Sequence, residues 1–124
     1  MNLTEEIKKP THNSDPNFET GTLDSKKSYE FKCTECGSKV LVNYNRQTTF
    51  SWTGHSDLIT QTEYSDLKNH YGIGISQKSH DGGFPVFDKV RCKNCGQQYV
   101  TYAGVREFAN SAFKIHIQGI GKIK

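Results

Sequence analysis

Two short stretches decide the architecture: Phe31-Lys32-Cys33-Thr34-Glu35-Cys36-Gly37 and Val90-Arg91-Cys92-Lys93-Asn94-Cys95-Gly96. Together they hold all 4 cysteines of the 124-residue chain. Each has an apolar residue two positions before its first cysteine and a glycine directly after its second. A tight turn of this form aims both sulfurs of a pair at one point, about 2.3 Å from a shared zinc ion. The glycine accepts positive φ, so the chain can leave the turn sharply. Two such knuckles facing each other complete a tetrahedron of thiolates with no open position, the donor set of a structural rather than a catalytic site. The expectation is one structural Zn2+ held by Cys33, Cys36, Cys92 and Cys95, in preference to a disulfide or a redox pair.

Outward from the knuckles the pattern is that of strands. Tyr29 and Phe31 alternate with Glu30 and Lys32 on the way into the first pair, the period of a half-buried strand. Val40-Leu41-Val42 leaves it, Phe84–Arg91 enters the second pair, and Tyr99–Ala103 leaves that one. Phe113-Lys114-Ile115-His116-Ile117 alternates again, with Phe113, Ile115 and Ile117 expected on one face and Lys114 and His116 on the other. Thr48–Trp52 is β-branched and aromatic, and Tyr71-Gly72-Ile73-Gly74-Ile75 alternates with glycine, so both read as strands. Leu58–Tyr64 fits either a strand or a short helix. Asp81-Gly82-Gly83 marks a turn, and Arg106 with Glu107 suggests a second one carrying an exposed ion pair. No segment of normal helix length stands out after Ser28. The expected fold class is therefore mainly β: antiparallel sheets joined by a four-cysteine zinc site.

The first 25 residues differ. They carry Lys8 and Lys9 against Glu5, Glu6, Asp15, Glu19 and Asp24, and are punctuated by Pro10, Pro16 and Gly21. Few apolar anchors are available there, so residues 1–25 are expected to form a flexible acidic leader, with at most a short helix at Thr4–Lys9. Residues 26–124 are expected to form the zinc-binding β domain. With 33% hydrophobic residues over the whole chain, the core is modest and gains from a metal staple. The N-terminus lacks the basic start and apolar run of a secretory signal, and no stretch approaches the roughly 20 apolar residues of a membrane span. A cytoplasmic protein without membrane contact is expected, where thiols stay reduced and paired Cys-x-x-Cys units bind metal.

Paired knuckles on hairpins, separated by a long β-rich insert, resemble the arrangement in Yippee-type and related β-tent domains. The matching stretches are Tyr29–Val42, Val86–Cys95 and Phe113–Ile117. The resemblance implies two antiparallel sheets set at an angle and joined at the apex by zinc. A zinc ribbon carrying an insert is the alternative with the same cysteines. B-type methionine sulfoxide reductases, relatives of this architecture, use a further cysteine as nucleophile. This chain has none to spare if all four bind zinc, which excludes that chemistry. The zinc-deaminase signature is absent as well.

Function then falls to what surrounds the knuckles. The 55 residues between Cys36 and Cys92 hold Phe50, Trp52, His55, His80, Phe84 and Phe87 near glycine turns. The packing reading makes Phe50, Phe84 and Phe87 core, with Trp52 as its cap. The functional reading makes Trp52, His55, His80 and Phe84 a partner-binding surface. Lys39, Arg91 and Lys93 flank the knuckles with Lys32. They could meet nucleic acid, or only offset the net negative charge of a tetrathiolate zinc centre. The expected function is a non-enzymatic, zinc-stabilised binding module of the adaptor or immunity type. A protein partner is preferred, a nucleic-acid-binding ribbon comes second, and a small enzyme using His55 or His80 third.

Overall fold

Each knuckle is the turn of a hairpin, and the hairpins set the rest of the chain in order. The computed structural model describes residues 1–12, 15–20, 27–74, 77–109 and 112–124. The elements are β1 (Leu3–Lys8), β2 (Phe18–Thr20), β3 (Ser28–Lys32), β4 (Lys39–Asn43), α1 (Tyr44–Thr49), α2 (Gln61–His70), β5 (Phe84–Arg91), β6 (Gln98–Ala109) and β7 (Ala112–Ile123). Strands β5, β6 and β7 form an antiparallel meander, and β1 and β2 both add to the free edge of β7. The hairpin β3–β4 is a separate two-stranded sheet, with Tyr29 opposite Val42 and Phe31 opposite Val40.

The main sheet is covered on both faces. On one, Phe31, Val40, Val42 and Tyr44 pack against Val86, Tyr99, Val105, Ile115, Ile117 and Ile120. On the other, Ile59, Leu67, Tyr71 and Ile73 cover Phe87, Val100 and Tyr102. The rings of Tyr71, Phe87 and Tyr102 meet there at centroid distances of 5.0 to 6.0 Å, within the range of favourable aromatic packing. Alternation along β5 thus sends Val86 to one core and Phe87 to the other, which is why its first half, Phe84–Phe87, is apolar without alternation.

The free edge of β5 is blunted residue by residue. Pro85 has no N–H to offer, the backbone of Phe87 bonds Gly54 and Ser56, and the Asp88 carboxylate takes the N–H of Lys89 at 2.8 Å. Such an edge resists pairing with a stray strand.

Several expectations are corrected. Leu3–Lys8 is a strand, not a flexible leader or a helix, and Phe18–Thr20 is another. Leu3, Ile7 and Phe18, few as they are, each pack against a core cluster, and β7 supplies the ladder partners. Of the expected leader, residues 13–14 and 21–25 lie outside the described residues. Thr48–Trp52 is not a strand: Asn43 caps α1 by accepting from Asn45 N–H at 2.8 Å, and Thr48 and Thr49 close helical turns back onto the carbonyl of Asn45.

Leu58–Tyr64 resolves into the approach to α2. A capping box starts that helix, Thr60 accepting from Glu63 N–H and Glu63 from Thr60 N–H. Tyr71–Gly74 is its exit. Gly72 has φ +71°, and Ile73 N–H reaches back to the carbonyl of Lys68 at 2.8 Å, the double bond pattern of a glycine-terminated helix. Ile75 lies outside the described residues. Arg106 and Glu107 are inside β6, opposite Lys114 and Phe113, not in a turn.

His116 is buried although its strand neighbours Ile115 and Ile117 face the other way. It meets a second buried polar group from the Asp81 turn, Nδ1 lying 4.0 Å from the carboxylate. The same carboxylate accepts from Ser79 Oγ–H and from Gly83 N–H at 3.1 Å. This turn lies directly on Gly104, whose missing side chain makes the space for Asp81 and Ser79. Gly104→Ala should therefore cost about 1–3 kcal/mol in urea unfolding, as overpacking does. Gly74→Ala, where no atom lies within 4 Å of the added carbon, should stay within about 0.5 kcal/mol.

Candidate metal centre and exposed aromatic face

The knuckles are near copies of one another. In the first, Cys33 N–H bonds the carbonyl of Ser38 at 2.8 Å and Gly37 N–H that of Cys33 at 2.9 Å. In the second, Cys92 N–H bonds Gln97 at 2.9 Å and Gly96 N–H bonds Cys92 at 2.8 Å. Gly37 and Gly96 have φ +76° and +82°, the conformation that the sequence demanded of them.

The tips of β3–β4 and β5–β6 meet, and all four sulfurs lie within 4.8 Å of one another. Cys33 Sγ is 3.5 Å from Cys95 Sγ, and Cys36 Sγ is 3.5 Å from Cys92 Sγ. A tetrahedral ion with bonds of about 2.3 Å needs sulfurs about 3.8 Å apart, so shifts of a fraction of an ångström fit the set to a tetrathiolate metal. The thiols are free, and the contacts are too long for any disulfide bond of about 2.05 Å. Cys33 and Cys92 are buried, while Cys36 and Cys95 face solvent.

The surroundings prepare some of these thiols for ionisation. Hydrogen bonds from the side chains of Asn94 and Ser38 bring Cys36 down to about 6. Desolvation pushes Cys33 up, but hydrogen bonds from Tyr99 and from the Cys36 and Glu35 backbone more than offset it. Cys95 goes the other way: a backbone bond from Gln97 favours its thiolate, yet desolvation and the three neighbouring cysteines push it up to about 12. Sulfurs this close cannot all carry charge unless a cation sits among them.

Tyr99 is a residue that the cysteine pattern does not reveal. Fully buried, it donates its hydroxyl to Cys33 Sγ at 3.2 Å and accepts from Thr34 N–H at 3.0 Å. Its ring also meets Phe31 edge-on at 5.1 Å, tying the thiolate to the core between the hairpins.

The basic flankers do not form a single patch. Lys39 lies 3.8 Å from Glu30, and Lys122 pairs with Glu35, so acids interleave with the cations around the first knuckle. Arg91 and Lys93 are exposed by the second knuckle, Arg91 lining a shallow hollow with Lys89 and Leu58.

The insert divides the other candidates. Phe87 is core, as the packing reading required, but Phe84 and Trp52 are not: they are 64% and 95% exposed. Trp52 caps nothing, because the main sheet continues beyond the last turn of α1 and leaves a hollow instead. That hollow, about 300 Å³, is lined by Ser51, Trp52, Phe84, Val105, Glu107 and Phe113. A second of the same volume lies on the other side of the Trp52–Phe84 ridge, reaching Thr53, Gln77 and Lys78. Val105, Glu107 and Phe113 escaped sequence reasoning because they come from the far end of β6–β7; only the register of Phe84 opposite Val105 brings them in.

Neither His55 nor His80 lines these two hollows, although His55 packs on Tyr64 behind the second. The Nδ1 of His55 lies 3.0 Å from the Ser56 carbonyl, its ring 4.7 Å from Tyr64. The Tyr102 hydroxyl meets His80 N–H at 3.0 Å and His80 Nδ1 at 2.8 Å. Desolvation and the neighbouring His12 lower the pKa of His80, against the pull of Asp81. His80 lines a different hollow, with Glu6, Lys9, Pro10, His70 and Tyr71.

No protein-family model, no curated protein and no solved structure matches the chain. The resemblance to β-tent domains therefore rests on the knuckles alone, and no family identity follows from it.

Removing the metal should act on one half of the molecule first. A lone two-stranded hairpin is marginal in water, so chelation should strip hydrogen-exchange protection from Val40 and Val42 while the centre of β6–β7 keeps it. Tyr99→Phe should retain the fold but weaken metal affinity by about 10–100-fold in a chelator competition, the usual effect of losing a bond to a ligand.

Proposed function

We propose that this chain is a non-enzymatic protein-recognition module of the cytoplasm, in which one structural zinc ion fixes the scaffold and the Trp52–Phe84 face meets the partner. Zinc follows from the donors: four thiolates in tetrahedral reach are a soft, closed set with no position for a substrate. The recognition reading rests on a single observation, a tryptophan left 95% exposed beside an exposed phenylalanine and an apolar hollow. Tryptophan is among the residues that dominate binding energy at protein interfaces, and solvated patches of this kind are uncommon without a use.

The presentation is preorganised. Trp52 follows α1 in consecutive tight turns, Ser51 N–H bonding Thr48 and Gly54 N–H bonding Phe50 at 3.0 Å, so little backbone order remains to be acquired on binding. A partner offering one bulky apolar side chain to the hollow suits this geometry. The basic residues at the knuckles support nucleic-acid binding less well, because Glu30 and Glu35 share their surface.

Purified without chelator, the protein should carry close to one zinc per chain by elemental analysis, and Cys92→Ser should lose it. A photo-crosslinking residue at position 52 should yield protein adducts in the producing cell, and one at Leu41, exposed on the outer side of β4, should not. Adducts to nucleic acid alone, or equal labelling from both positions, would overturn the reading.

A further inference from the structure

The Trp52–Phe84 face has a property that points to a particular occupant: it is self-complementary. Trp52 projects as a knob, and the hollow lined by Phe84, Val105 and Phe113 lies directly beside it. The two ends of the face differ in charge. Glu107 lines the hollow on one side of the ridge and Lys78 lines the hollow on the other. Among the described residues neither takes part in an ion pair within the chain.

A closed two-fold contact uses the same patch on both subunits, so whatever lies on one side of the axis must suit what lies on the other. An axis between Trp52 and the adjacent hollow does this twice. Each indole enters the other copy's hollow, and each Lys78 end turns toward the other copy's Glu107 end. The hollow, about 300 Å³, is at the small end of sites that take a compact group, which matches one side chain rather than a peptide segment. The edge of β5 is blunted by Pro85 and by its contacts to Gly54 and Ser56, so the contact is side chain to side chain and not an extension of the sheet.

We propose that the occupant of this face is a second copy of the same chain, in an isologous dimer built on reciprocal insertion of Trp52. The proposal rests on the reading of the face as a protein-recognition surface and names its partner.

Trp52 is the only tryptophan, so it reports on its own burial. Titrating the zinc-loaded full chain from about 1 to 300 µM, in the micromolar range where modest interfaces assemble, should move the emission of Trp52 to shorter wavelength. Sedimentation velocity should show mass rising toward twice that of the chain over the same range. Trp52→Ala should weaken dimerisation by more than about tenfold, as loss of a central aromatic anchor does. The charge variants carry the decisive arm. Lys78→Glu alone and Glu107→Lys alone each place like charges at both ends of the interface and should each dimerise several-fold more weakly than the parent, an effect of rim charges. Mixed together they restore opposite charges at both ends, so the two variants should pair with each other at near-parent affinity.

A chain that stays monomeric to 300 µM with unchanged emission overturns the second copy as occupant. So does a dimer indifferent to Trp52→Ala, or a mixture of the charge variants that pairs no better than either alone. In those cases the crosslinking at position 52 still judges the broader reading, which survives if a different protein is captured and falls if none is.

Discussion

Four sulfurs from the tips of two hairpins must occupy one small volume, and the rest of the molecule is arranged around that demand. Thiols at 3.5 Å repel once ionised, so the arrangement is favourable only around a cation that takes all four charges. Closure joins Cys36 to Cys92, 56 positions apart, a loop whose entropy the bare chain would have to lose without return. What it gains is the placement of β3–β4. That hairpin is not hydrogen-bonded into the main sheet; Phe31, Val40 and Val42 lie on the sheet as a lid held at its tip. Tyr99 ties the two consequences together, with its ring in the core and its hydroxyl on the Cys33 sulfur.

Cover is uneven along the main sheet, and the unevenness creates the candidate functional face. Near the four sulfurs, β3–β4 shields the apolar side of β5–β7. Farther along, α1 takes over, but it is only 6 residues long and ends at Thr49. Beyond it the cover thins: the half-buried Phe113, the exposed Phe84 and an edge of the buried Val105 line the hollow. Trp52 and Phe84 stand at this boundary. The opposite face has no such gap, because the 10-residue α2 and the Tyr71–Ile73 segment cover Phe87 and Tyr102 completely.

Where local chemistry governs, the residues announced their structure. The knuckles and the Phe84–Arg91 strand follow from turn geometry and from alternation, and both are readable. Two further signals of the same kind lie in the sequence. Thr60-x-x-Glu63 is a capping box, and Gly72 sits where a helix ends on a left-handed residue; together they mark α2 at both ends. Alternation in Tyr71-Gly72-Ile73 imitated a strand because a helix exit also places its apolar residues on one side. The N-terminal strands were hidden for another reason: polar strands such as Leu3–Lys8 borrow their order from the edge of β7, and no local pattern records that partner.

The sequence by itself determined the metal donors and the turns that aim them, since Cys-x-x-Cys-Gly acts within six residues and needs no distant help. It also determined that strands dominate, through period-two alternation. Only the tertiary structure decided which aromatics are buried. Phe84 and Phe87 lie three apart on one strand, so the pleat turns them to opposite faces. One face has α2 over it and the other has run out of helix. Burial depends on what another part of the chain brings to the same place, and that is why a phenylalanine in the core and a phenylalanine in solvent look alike in sequence.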